Sequence, residues 1–257
     1  SIEELQEKEH PKDPSAAAAI LFKTGVLDFN YSQENGFQMV TKVRTRIKIY
    51  NKQGYEWANQ QVKYYIETSE SKETVNFSDA VTYNLENGKI VKTKLKSDGE
   101  FDNKINKFWG LKKISLPNVK EGSVIEFEYT LRSPNITTID KWDFQTTIPV
   151  NYSEFVTVIP EYFVYTPNHK GFIALKTSTE KYSKSITITS KERSDGLVSN
   201  TTFYNDKTDY IATRTTYTGE NMPAMKEEKF VNNIDNYTSS LTFELSMTKF
   251  PNKPYKS

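Results

Sequence analysis

The chain has 257 residues with no cysteine, two histidines, 16 tyrosines and 15 phenylalanines, and a net charge of +1 from 34 basic and 33 acidic side chains. The lack of cysteine removes a thiol nucleophile, a disulfide framework and a Cys-based zinc site. Lys and Glu are interspersed, so no basic stripe points to a nucleic acid partner; the aromatic load argues against disorder, and no apolar run is long enough for a transmembrane segment.

Residues 2–9 predict a short helix, because Ile2 and Leu5 stand three apart among Glu, Gln and Lys. Pro11 and Pro14 end it. The chain opens on Ser1 rather than Met, which is read as an exported protein whose signal peptide has been removed. The run Ala16 to Phe22 suits helix or strand, whereas residues 22–29 look extended.

From there the dominant period is two. Val43, Thr45, Ile47 and Ile49 share one face, and Arg44, Arg46, Lys48 and Tyr50 share the other. The basic row is expected to be a solvated face paired with Glu126 and Glu128 of a neighbouring strand. Ile125, Phe127, Tyr129 and Leu131 alternate with polar residues, as do Leu241, Phe243, Leu245 and Met247. The expected core contains Ile47, Ile49, Ile125, Phe127, Tyr129, Leu241, Phe243 and Leu245. Asn35-Gly36, Asn87-Gly88, Asp98-Gly99, Glu121-Gly122 and Asp195-Gly196 mark turns, and Gly122 is expected to need a φ that a Cβ disfavours.

No stretch between strands is long enough for a βαβ crossover helix, so a parallel sheet is not expected. The pattern predicts an all-β chain: a large antiparallel β-sandwich of about 14 to 18 strands with a short N-terminal helix. Residues 1–160 form an N-terminal half, and residues 161–250 form a second half packed into the same sandwich. Residues 251–257 are Pro-rich and read as a linker to a following domain.

Chemistry-bearing constellations are few. His10 sits in the Pro-bounded stretch and His169 in the turn-like Pro167 to Gly171, so both are expected at the surface. There is no G-x-S-x-G elbow and no Gly-rich phosphate loop. Asp140, Asp143 and Asp235 could flank calcium but lack the spacing of an EF-hand loop. No catalytic residue, cofactor or metal ligand is predicted. Trp57, Trp109 and Trp142 could stack on sugar, although aromatic residues in strands mostly fill cores; exposed coplanar rings would favour sugar and buried ones a scaffold. Gly219 to Glu228 reads as a long irregular connection. Its Met222, Pro223 and Met225, beside Glu227 and Glu228, form the predicted interaction surface. Methionine adapts to irregular partners and flanking charge orients them.

Several segments carry a resemblance when taken in order: Arg44 to Asn51, Tyr83 to Lys89, Leu116 to Glu126, Trp142 to Gln145, Ile148 to Val150, Ser153-Glu154, Pro223 to Glu228 and Ile234 to Tyr237. From about Asp13 onward the chain resembles the β-rich domain of unknown function found N-terminal to transglutaminase-like (papain-type) domains of exported bacterial proteins. Catalysis in such proteins needs Cys, His and Asp, and this chain has no Cys, so the resemblance brings no catalytic residue with it. It implies a non-catalytic β-sandwich region that docks or orients a C-terminal transglutaminase-like domain of the same chain, in the periplasm or cell envelope. The alternative is a carbohydrate- or peptide-binding module with an exposed aromatic or edge-strand surface, its partner a polysaccharide or peptide.

Overall fold

The computed structural model describes residues 1–67, 72–194, 200–226 and 237–250, of which 190–194 and 200–203 are described by their backbone. Helix α1 covers Ile2–Gln6 and is shorter than expected: Glu7 already has extended backbone. Its start is a capping box, in which the Ser1 side chain accepts from Glu4 N–H and Glu4 reaches back to the Ser1 nitrogen. One helical turn cannot stand alone in water, so α1 owes its form to what it covers.

The strands follow as β1 (Ala18–Ser32), β2 (Gly36–Ile49), β3 (Asn59–Tyr65), β4 (Thr74–Glu86), β5 (Lys89–Lys94), β6 (Glu100–Lys104), β7 (Trp109–Ser115), β8 (Val124–Ser133), β9 (Thr138–Asp143), β10 (Val150–Pro160), β11 (Phe163–Lys170), β12 (Lys176–Ser194), β13 (Asn200–Met222) and β14 (Ser240–Thr248). They form an eight-stranded sheet in the order β12-β13-β10-β1-β2-β8-β4-β5 and two three-stranded sheets, β11-β14-β9 and β3-β7-β6. Strands from both sides of residue 160 share the large sheet, because β10 pairs with β13.

The pairing is antiparallel with one exception. β1 runs parallel to β10, from Ile20 opposite Val150 to Asp28 opposite Val158. A parallel pair needs a long crossover, which is usually but not necessarily a helix. Here the excursion is β2 to β9, and this is why the missing crossover helix did not exclude parallel pairing.

Both small sheets pack on the inner face of the large one. Phe29 of β1 stacks on Phe163 of β11 with centroids 5.1 Å apart, and Phe155 of β10 stacks on Trp142 of β9 at 4.8 Å. On the other side, Tyr64 of β3 clusters with Val75 of β4 and Leu131 of β8. Ile47, Ile49, Ile125, Phe127, Leu241 and Phe243 are buried as expected, while Tyr129 and Leu245 are half-buried.

The outer face corrects one expectation. Arg44 and Arg46 do pair with Glu126, and Arg46 also donates to Glu4 of α1 at 2.7 Å. Glu128 makes no ion pair among the described residues. Lys48, however, is fully buried rather than solvated. Its ammonium donates to the carbonyls of Leu5 (3.0 Å) and Gly122 (2.7 Å), and the hydroxyl of Tyr50 donates to Glu7. The N-terminal segment lies across Arg46, Lys48 and Tyr50 and shuts them from water, while Arg44 stays exposed. Desolvation pulls the Lys48 pKa down to about 8, opposed by Glu7 and Glu4. Gly122 has φ +84°, as its place in the loop required.

Candidate functional site

The two small sheets leave a cleft of about 620 Å³ between them. Its floor is the inner face of the large sheet, with Ile20, Val43, Thr45, Ile47, Phe127 and Val150. One wall is Trp57, Gln60, Gln61 and Val62; the other is Asp143 to Thr147 with Met225 and Thr238. An apolar floor under a few convergent polar groups, at this volume, has the make-up of a ligand site.

Among the described residues, one wall is an open sheet edge. β3 pairs with β7 on one side only. Leu116 N–H donates to Ala58 C=O and Ile66 N–H to Phe108 C=O, both at 2.9 Å. Those two bonds set the phase of the antiparallel ladder: Gln60, Val62 and Tyr64 bond to β7, while Asn59, Gln61, Lys63 and Tyr65 turn their N–H and C=O away. Glu73 occupies the outward groups of Tyr65, its carboxylate accepting from Tyr65 N–H at 2.7 Å and its own N–H donating to Tyr65 C=O at 2.8 Å. The Asn59 N–H donates to Glu56 C=O, whereas Gln61 and Lys63 have no such backbone partner among the described residues.

Lys23 brings charge to the opposite side. It projects from the inner face of β1, where its ammonium donates to the backbone carbonyl of Asp143 at 3.1 Å and lies 4.2 Å from the centroid of the Trp142 ring. Desolvation lowers its pKa to about 8; Asp143 opposes this and Lys141 adds to it. The Asp143 carboxylate is itself held by Lys141 at 2.8 Å, and Lys23 forms no ion pair among the described residues. The ring is fixed from behind, since Trp142 Nε1 donates to Ser153 Oγ at 3.1 Å and the indole stacks on Phe155. Gln145 ties the second wall together: its Nε2 donates to Pro223 C=O at 3.2 Å and its Oε1 accepts from Ser239 N–H at 3.1 Å.

The predicted interaction segment is divided by the structure. Gly219 to Met222 belong to β13, so the irregular stretch begins only at Pro223. Met222 is 1% exposed and lies in the core. Pro223 is exposed. Met225 is half-buried, lines the cleft and donates its N–H to Thr146 C=O at 2.8 Å. Glu227 and Glu228 lie outside the described residues.

The histidines part from expectation in different ways. His10 is buried, not a surface residue: its Nε2 lies 2.8 Å from Asn151 Oδ1, and its Nδ1 accepts from Asp13 N–H at 3.1 Å. His169 is exposed as expected, but on β11 rather than in a turn. No three His, Cys, Asp or Glu among the described residues could hold a metal; Asp235 is outside that set. Trp142 is buried and Trp57 and Trp109 are half-buried, on three different elements.

Sequence reading did not find Lys23 or the β3 edge. A signal for Lys23 exists: it shares the parity of Leu27 and Phe29, so a charge stands at an inward position of an alternating strand.

The family model for the Domain of Unknown Function with solved-structure structure (DUF3857) matches residues 37–195. The chain belongs to this family. No curated protein matches it. Its fold is similar to the crystal structure of a "putative protease" from Parabacteroides distasonis ATCC 8503, with 13% identity and a TM-score of 0.60, over 90% of this chain and 41% of that one. The likeness shows a shared fold, and this chain spans about two fifths of that protein's length.

Proposed function

We propose that this DUF3857 chain is a non-catalytic β region that docks or orients a transglutaminase-like domain of the same polypeptide in an exported protein. The observation that carries the reading is the relation to the longer protein: nine tenths of this chain overlays a minority of a chain called a "putative protease". A region of that kind needs no catalytic set of its own. The absence of cysteine agrees, as does the employment of His10 in holding Asn151. Met225 would belong to the docking surface, with Pro223 beside it. The scaffold reading is favoured over sugar stacking because Trp142 is buried in the core and seats Lys23 instead of facing solvent.

The test compares the natural full-length protein with a version lacking residues 1–250. Loss of soluble expression, or a fall of about tenfold or more in kcat/KM with the remainder folded, is the expected result, since misplacing a catalytic unit costs orders of magnitude. Unchanged stability and turnover would overturn the reading.

A further inference from the structure

We propose that the cleft is a docking groove for an extended acidic peptide, which adds as a strand to the free edge of β3 and sets a carboxylate against the Lys23 ammonium. This stands whether or not a transglutaminase-like domain follows, because it rests on three features of the chain itself.

The first is the edge. Gln61 and Lys63 each offer an N–H and a C=O away from β7, Asn59 adds its C=O while its N–H donates to Glu56, and Gln61 lines the cleft. Such groups recur every second residue, roughly 6.8 Å apart, which is the repeat of another extended backbone. Natural proteins usually blunt an open edge. Among the described residues Glu73 does so at Tyr65 and Glu56 takes the Asn59 N–H, which leaves Gln61 and Lys63 open.

The second is the space. Among the described residues the inner layer is interrupted where the cleft lies, between the β3 sheet and the β9 sheet, and the floor beneath it is apolar. An added strand would turn alternate side chains down onto Val43, Ile47 and Phe127, so apolar residues suit every second position.

The third is the charge. Lys23 has three N–H donors and one described hydrogen bond, to the Asp143 carbonyl. Its seat on Trp142 holds it without neutralising it. Lys63 is a second cation on the open edge, its ammonium 4.1 Å from the Trp109 ring centroid. Among the described residues the acidic side chain lining the cleft is Asp143, which is ion-paired with Lys141. A carboxylate on the incoming strand would give Lys23 the partner it lacks among the described residues.

The experiment titrates the chain at pH 7 with a set of capped hexapeptides that alternate valine and threonine and carry one glutamate at each possible position. Amide chemical shifts and calorimetry are the readouts. Saturable binding by at least one peptide is expected, with the largest shifts at Asn59 to Lys63. Replacing its glutamate by glutamine should weaken binding about fivefold or more through loss of the charge-assisted bond. N-methylation at alternate residues, which leaves the protein untouched, should weaken it about tenfold or more by removing strand hydrogen bonds. In Lys23→Met the glutamate and glutamine peptides should bind alike. The proposal is overturned if no peptide of the set saturates, if N-methylation has no effect, or if the wild type does not distinguish glutamate from glutamine. It is overturned equally if the shifts fall on the edge of β12 or β5, or if an oligosaccharide and no peptide perturbs Asn59 to Lys63.

Discussion

The indole of Trp142 lies on the bare backbone of Gly25: a Cβ built at Gly25 would stand 2.4 Å from Trp142 Cζ3 and 3.0 Å from a ring carbon of Phe155. A strand glycine normally weakens a sheet relative to alanine, so here its absence of a side chain is a packing requirement. It lets β9 approach β1 closely enough for one ring to fill the core and seat Lys23.

Gly25→Ala is therefore expected to destabilise the protein by about 1–3 kcal/mol, the range for forced overpacking, against a strand propensity that alone would stabilise. Urea unfolding measures it. In a Trp142→Leu background the cost should shrink, because the clashing atoms are gone; a double-mutant cycle with no coupling would place the ring elsewhere.

Arg44 and Arg46 donate to the same carboxylate, Glu126, from different depths. The Arg44 side chain is 55% exposed and that of Arg46 is 12% exposed. Arg44→Ala should cost under about 1 kcal/mol, as exposed pairs do. Arg46→Ala should cost about 3 kcal/mol, because it leaves Glu126 without its buried partner. Equal losses in denaturant unfolding would mean that the N-terminal segment does not cover this face.

Lys48 gives that cover a pH signature. Its folded pKa lies near 8, below the ordinary lysine value of 10.5. Between those values the unfolded chain binds more protons than the folded one, so stability rises with pH; the cost is complete below about 8 and fades as pH climbs. Lys23 acts in the same direction, and tyrosines shifted upward oppose both above about pH 10. From pH 8 to 10 the wild type should gain stability relative to Lys48→Met, read by urea titration at each pH. A constant difference would show a solvated Lys48.

Alternation told which residues share a face but not what lies over it. Val43 to Ile49 read correctly as a strand with one buried side, and Ile125 and Phe127 as its neighbours in the core. The polar side looked solvated because Arg44, Arg46 and Lys48 are charged. It is partly dry because the five helical residues of α1, whose spacing predicts a helix but not where it docks, fold back over it. His10 was misplaced for the same reason: its neighbours Pro11 and Pro14 signal a loop, while Asn151, 141 positions away, provides its partner. The cleft was not legible at all. It is made by which strands fail to meet, and the order of β3 and β9 within their sheets is set by long-range pairing that no local pattern encodes.

The central claim is that the surface beside Met225 receives a following domain. Hydrogen exchange at Ala224, Met225 and Lys226 tests it most directly, measured in the natural full-length protein and in this chain alone. The account predicts exchange slowed about tenfold or more in the longer protein, as expected where a surface is covered. Equal rates in both would contradict it.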